Sequence, residues 1–123
     1  MTKKTLEKWK PITKYQSHKF DGSYEVSNWG RIRKVGTDYI VPPYSDNRGQ
    51  GYMRVKLFDT EHRRTAIKIH RLVAYNFVEP GRADQTEVNH KDGNPKNNSW
   101  TNLEWCNRKE NMQHSSRGRA ACE

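Results

Sequence analysis

Two stretches of this chain alternate apolar and polar residues with a period of two, and each folds back across a cluster of turn formers. Tyr24-Glu25-Val26-Ser27 leads through Asn28-Trp29-Gly30 into Arg31-Ile32-Arg33-Lys34. Tyr52-Met53-Arg54-Val55-Lys56-Leu57-Phe58 is answered across Asp59-Thr60-Glu61-His62 by Arg64-Thr65-Ala66-Ile67-Lys68-Ile69. Successive side chains of a strand point to opposite faces, so the pattern predicts two antiparallel hairpins. Val26 and Ile32 line the apolar face of the first, with arginines opposite, while the second carries Arg54, Lys56 and Lys68 toward solvent or phosphate. His62, at the second turn, is expected to be exposed. Trp9-Lys10-Pro11-Ile12 reads as an extended anchor, because the residue before proline avoids the helical region. Residues 35–50, with Pro42-Pro43 and the run that starts at Asp46, read as a loop.

Beyond Ile69 the period changes. His70 to Val78, HRLVAYNFV, stops at Pro80-Gly81 and predicts a short buried helix. His70 is expected to be a hydrogen-bonded histidine at the start of that helix, ahead of any role toward metal or DNA. Glu87-Val88-Asn89-His90 predicts a strand, Lys91-Asp92-Gly93-Asn94 a tight turn, Asn97-Asn98-Ser99 a polar loop and Leu103-Glu104-Trp105-Cys106 a returning strand. Asn107 followed by Glu110 resembles a capping box, so a helix is expected from about Arg108 to about Ser116, with Asn111 and His114 on one face. The fold class is α+β: small N-terminal antiparallel hairpins, then a strand–loop–strand–helix unit. The expected division is 9–69 for the β-rich part and 70–116 for the second part, with 1–8 and 117–123 as flexible termini.

Composition narrows the function. Hydrophobic residues make up 32% of the chain and mean hydropathy is −1.21, so the core must be thin, with four Trp and six Tyr supplying much of its area. The net charge is +9, and the excess is spread along the chain: residues 1–60 carry 12 basic and 6 acidic groups, residues 61–123 carry 11 and 8. A basic, aromatic-rich surface favours a polyanionic partner, nucleic acid ahead of membrane. No apolar run approaches the roughly 20 residues of a membrane span, and the N-terminus lacks the apolar core of a secretory signal. Cys106 and Cys122 form no Cys-x-x-Cys pair, which fits a reduced intracellular protein. Zinc held by His90, Cys106, His114 and Cys122 is an alternative that lacks the usual ligand spacing.

YEVSNWGRIRK, preceded by WKPI, resembles the small nuclease-associated modular domain found at the N-terminus of HNH homing endonucleases. In that family the module is a small β-sheet that grips DNA. The resemblance implies DNA contact by Arg31 and Arg33, beside Lys34, Arg54, Lys56 and Lys68. Farther on, Asn102 follows His90 by 12 residues and Asn111 follows Asn102 by 9, giving NH–x11–N–x8–N. This resembles the ββα-metal (His-Me finger) site of phage-type HNH homing endonucleases. The likeness continues through HRLVAYNF, VNHKDGN, NN, NLEW and EN, and covers roughly residues 9–114. That family often continues into a C-terminal helical DNA-binding region, which is not expected here, so a long recognition site is not expected either.

The resemblance implies that His90 is the general base toward water and that Asn102 orients the His90 ring. Asn89 and Asn111 would hold one divalent cation. His114 is a further candidate ligand or phosphate contact, with a plain helix-face histidine as the alternative. Oxygen ligands favour Mg²⁺ or Mn²⁺ over zinc. Many HNH enzymes carry Asp or His where Asn89 stands. Two neutral amide ligands imply weak metal affinity and a shell completed by DNA phosphate. Asp92 is accounted for by its turn, and Asn94, Asn97 and Asn98 by loop chemistry. The implied activity is metal-dependent hydrolysis of phosphodiester bonds in double-stranded DNA, by nicking or double-strand cleavage, in a monomer or weak dimer of phage-encoded, intracellular origin. The alternative is a catalytically weak or inactive DNA-binding protein on an HNH frame; an RNA-binding module is a fainter third reading.

Overall fold

The structure, a computed structural model, describes residues 6–45, 51–107 and 109. The first hairpin consists of β4 (Tyr24–Ser27) and β5 (Ile32–Lys34), joined on the β4 edge by β1 (Trp9–Pro11) to give the order β1-β4-β5. Between β1 and β4 lies a minimal hairpin of β2 (Lys14–Tyr15) and β3 (His18–Lys19). A third sheet runs β6-β7-β8, from Tyr44–Ser45, Met53–Phe58 and Arg64–Lys68. The helix α1 (Ile69–Phe77) follows β8 directly. The last sheet pairs β9 (Glu87–His90) with β10 (Leu103–Cys106), which is preceded by a 3-10 turn at Trp100–Asn102. Every strand pair is antiparallel, the pattern of an α+β fold.

The alternation in sequence becomes a division of faces. In β7 and β8, Val55, Leu57, Thr65 and Ile67 point inward, while Lys56, Phe58, Arg64 and Ala66 are exposed. Val26 and Ile32 sit opposite each other across β4 and β5, both fully buried. These residues join Leu72, Val73 and Ala74 of α1 and Val88 and Leu103 of β9 and β10 in one hydrophobic cluster. A single core therefore runs through both the β-rich part and the part after residue 69. Cross-links outside the core add direction: Trp105 Nε1 donates to the Val78 carbonyl at 3.2 Å and its ring stacks on Tyr75.

Three expectations need correction or limits. Residues 35–50 are not all loop, because Tyr44–Ser45 pairs with Met53 and Arg54 to form β6. Cys106 is not a free thiol, so the expectation of a reduced chain fails at that residue. The helix expected from about Arg108 to about Ser116, with Asn111 and His114, lies outside the described residues except for Lys109, which is helical. No helix among the described residues is long and apolar enough to cross a membrane.

Candidate active site

His90 closes β9 and is fully buried, as is its neighbour Asn89. Its Nε2 lies 2.8 Å from the Asn98 side-chain oxygen. An amide oxygen can only accept, so Nε2 carries the proton and donates, and the lone pair falls on Nδ1. Nδ1 is buried and has no hydrogen-bond partner among the described residues. Burial lowers the pKa of the ring, against the opposing pull of the Asn98 bond and the Asp92 carboxylate. The result is a neutral imidazole with a fixed tautomer and a free lone pair, the state a general base requires.

Two rings stand behind it. His70, in the first turn of α1, has its centroid 4.9 Å from that of His90, and Tyr52, just ahead of β7, lies 5.7 Å away at an interplanar angle of 21°. Tyr52 and His70 stack on each other at 4.6 Å. His70 is fully buried, and neither of its ring nitrogens has a hydrogen-bond partner among the described residues. The hydrogen-bonded helix-start histidine expected from the sequence is therefore a stacked one. Desolvation comes first, and coupling to the neighbouring His90 ring and the positive charges of Arg71, Lys68 and Arg54 add to it, so that its pKa falls to about 2.

Asn102 does not touch the His90 ring among these contacts; Asn98 makes that hydrogen bond instead. The 3-10 turn at Trp100–Asn102 aims the Asn102 side chain at the loop between β9 and β10. Its Nδ2 donates to Asp92 Oδ1 and to the Asn97 carbonyl, both at 2.9 Å, while its Oδ1 accepts from the Asp92 amide at 3.1 Å. Asp92 also accepts from Asn97 Nδ2 and the Asn94 amide. These donors, Asn97 first, hold its carboxyl below the ordinary aspartate range. Asn94, Asn97 and Asn102 thus knit the loop around Asp92, whereas Asn98, expected to be loop filling, is buried and bonded to His90.

Asn89 stands opposite Glu104 in the β9–β10 ladder and donates from Nδ2 to Glu104 Oε1 at 2.9 Å. That bond fixes which end of the amide faces the carboxylate and leaves the carbonyl oxygen, Oδ1, buried without a partner among the described residues. An orphaned buried oxygen is expensive unless something binds it. It is a hard, neutral ligand suited to Mg²⁺ or Mn²⁺, and Glu104 supports it from behind as outer-sphere partners do. The described residues offer this one oxygen and no group of three or more His, Cys, Asp or Glu side chains placed to hold a metal ion; Asn111 and His114, the other expected ligands, lie outside them.

A band of positive charge leads to this site. Arg54 pairs with Lys68 and Phe58 with Arg64 across the β7–β8 ladder, so Arg54, Lys56, Arg64 and Lys68 share its outer face. The Lys68 ammonium lies 5.5 Å from the centre of the Tyr52 ring, at the active-site end. At the other end Lys34, Lys56 and Arg64 line a groove of about 600 Å³ with Tyr39 and Phe58, both exposed. Arg31 and Arg33 are placed differently. Both guanidinium groups lie over Trp9, and they pair with Glu7 and Glu25 respectively. A phosphate contact by either would compete with an internal carboxylate.

Of the residues missed in sequence, Arg64 was legible, since it shares the period-two register of Lys68. Tyr52, Asn98 and Glu104 carried no local signal pointing to the site.

Residues 68–113 match the family described as HNH endonuclease, and residues 7–58 match the NUMOD4 motif. The DNA endonuclease I-HmuI of Bacillus phage SP01 is 37% identical over 111 residues, which cover 89% of this chain and 59% of that protein. An uncharacterized HNH endonuclease of Acanthamoeba polyphaga mimivirus is 38% identical over 84 residues, covering 68% of this chain and 20% of the viral protein. A solved structure of DNA binding and cleavage by the HNH homing endonuclease I-HmuI superposes with a TM-score of 0.71 at 34% identity. That match covers 90% of this chain and 59% of the solved one, so the chain spans about three fifths of the length of the phage protein.

Proposed function

This chain belongs to the HNH endonuclease family, and on that premise we propose that it hydrolyses phosphodiester bonds in double-stranded DNA in a reaction dependent on a divalent metal. The observation that carries the proposal is the state of His90, a neutral ring tied through Nε2 to Asn98 with an unpartnered lone pair on Nδ1. His90 takes a proton from water on Nδ1 as the water oxygen bonds to phosphorus. The bond from phosphorus to the 3′ oxygen breaks, and that oxygen takes a proton from solvent, leaving 5′-phosphate and 3′-hydroxyl ends. Asn89, with Asn111 as the proposed second ligand, would hold a divalent ion, which when bound would supply positive charge to the phosphate undergoing attack.

Arg54, Lys56, Arg64 and Lys68 would follow the phosphate backbone toward His90, with Lys34 at the far end of the same band. Arg31 and Arg33 would act chiefly by bracing Trp9. Phosphate contacts of this kind fix register and orientation without reading sequence. The division into a DNA-gripping part, 9–69, and a nuclease part, 70–116, is kept as part of the proposal.

Burial favours a second reading. His90 is fully covered in the free protein, so water gains access to Nδ1 only as the site opens on DNA. Together with the neutral ligand Asn89, this favours DNA binding with slow or absent cleavage. Supercoiled plasmid incubated with the protein and Mg²⁺ or Mn²⁺, with and without chelator, separates the two. Nicking that chelator and His90→Ala both abolish supports the nuclease. Gel retardation with no nicking supports the binding protein, and equal nicking by wild type and His90→Ala removes His90 from the chemistry.

A further inference from the structure

We propose that the N-terminal segment is a working part of the catalytic centre, positioning the His90 ring from two sides through Tyr52 and through the turn that ends at Gly30. The inference rests on the reading of His90 as the general base. Both contacts cross from the segment matching NUMOD4, residues 7–58, to the segment matching the HNH family, residues 68–113.

The first side is the face of the ring. Tyr52 is 4% exposed and lies within 21° of parallel to His90, with its centroid 5.7 Å away. It also stacks on His70, which in turn contacts His90, so the three rings form a closed wall. The aromatic wall excludes water from that side of the imidazole and limits rotation about its Cβ–Cγ bond.

The second side is the Nε2 edge. Asn98 holds Nε2, and the backbone of Gly30 lies directly against Asn98. A Cβ at Gly30 would sit 2.9 Å from Asn98 Cβ and 3.1 Å from the Asn98 carbonyl oxygen. Gly30 also has φ of +91°, a conformation in which side chains are strained. The turn is itself anchored. Asn28 is buried, its carbonyl accepts from the Trp100 amide at 2.8 Å, and its side chain bonds to the Lys8 amide and the Leu6 carbonyl. The N-terminal turn thus grips the loop on both sides of Ser99 and sets where Asn98 stands.

Tyr52 and Gly30 are positioning residues: they touch neither water nor phosphate in this scheme but act through His90 and Asn98. Moving a general base by about an ångström costs on the order of 100-fold in rate while leaving substrate affinity alone. The test compares Tyr52→Leu, Tyr52→Phe, Gly30→Ala and His90→Ala in the full chain. It uses single-turnover nicking at saturating protein, DNA affinity by anisotropy, and ¹⁵N NMR of the His90 ring. Tyr52→Leu and Gly30→Ala should lower the nicking rate roughly 10- to 100-fold with affinity held within about twofold. Tyr52→Phe, which keeps the ring, should stay near wild type. In both impaired variants the His90 resonances should shift from the pure Nε2–H tautomer toward a mixture. This readout survives even where cleavage is slow, and thermal unfolding identifies a variant that fails to fold.

If His90→Ala is inactive while Tyr52→Leu and Gly30→Ala cut at wild-type rate with an unchanged tautomer, the positioning proposal is wrong and the base assignment stands. If His90→Ala cuts like wild type, the base assignment itself is wrong. Equal losses in rate and affinity would reduce Tyr52 and Gly30 to scaffolding and also overturn the proposal.

Discussion

Replacing His70 with leucine should make stability less sensitive to acid by about 2 kcal/mol between pH 8 and pH 5. In the folded protein burial lowers the His70 pKa to about 2, with help from nearby positive groups. In the unfolded chain the same ring titrates near about 6.5. The unfolded state therefore binds the proton first. Stability is complete above pH 6.5 and is lost progressively as pH falls from there toward the folded value. At pH 5 the unfolded state gains RT ln(1 + 10^1.5), about 2 kcal/mol, and any folded pKa below about 4 gives the same figure. The depressed pKa of His90 acts in the same direction but is common to both proteins, so its contribution cancels to first order. The depressed carboxyls of Asp59, Asp84 and Asp92 lose their contribution below about pH 4, outside the window. Leucine also removes two buried ring nitrogens without partners; each such group carries a penalty of about 1–3 kcal/mol, so at pH 8 the variant should at least match wild type. Urea unfolding of both proteins at pH 8 and pH 5 reads the difference directly. A loss on acidification that agrees between them within about 0.5 kcal/mol would refute the argument that His70 is held neutral by burial.

Three further outcomes are expected. Glu104→Ala should raise the Mg²⁺ concentration needed for half-maximal nicking about 10- to 100-fold by releasing the Asn89 amide, and Glu104→Gln should recover most of it; an unchanged metal titration would remove Asn89 as a ligand. Asn102→Ala should destabilise the loop around Asp92 by about 2 kcal/mol, seen as faster amide exchange at Lys91 and Asp92, because it deletes three hydrogen bonds of the described network. Arg54→Ala and Lys68→Ala should each flatten the slope of log affinity against log salt by about 0.9, whereas Arg31→Ala, whose guanidinium pairs with Glu7, should change it less. Equal slopes for all three variants would mean that the β7–β8 face does not track the backbone.

Much of the frame was legible because it follows from local periodicity. Val26 and Ile32, and Val55, Leu57 and Ile67, fell on the apolar faces their alternation assigned. The helix starting near His70 and the strands 87–90 and 103–106 appeared where the change of period put them. The hairpin of β2 and β3 was not legible. Its turn places Gln16 at φ of 54°, where no glycine or asparagine marks the conformation. It is held by distant partners: Tyr15 accepts from the Lys68 amide, and His18 bonds to Asp59.

The sequence by itself determined the strand and helix plan and the basic face, since each depends on residues close together in the chain, and the motif spacing made His90 the histidine to propose. The tertiary structure decided which neighbours His90 has. Asn98 and Asn102 are chemically identical and four residues apart; a 3-10 turn on one side and the close approach of Gly30 on the other send Asn98 to the ring and Asn102 to Asp92. Tyr52, His70 and His90 come from three separate elements and meet only when β7, α1 and β9 share one core. Side-chain direction at a shared contact is set by packing, and packing has no period that a linear pattern can carry.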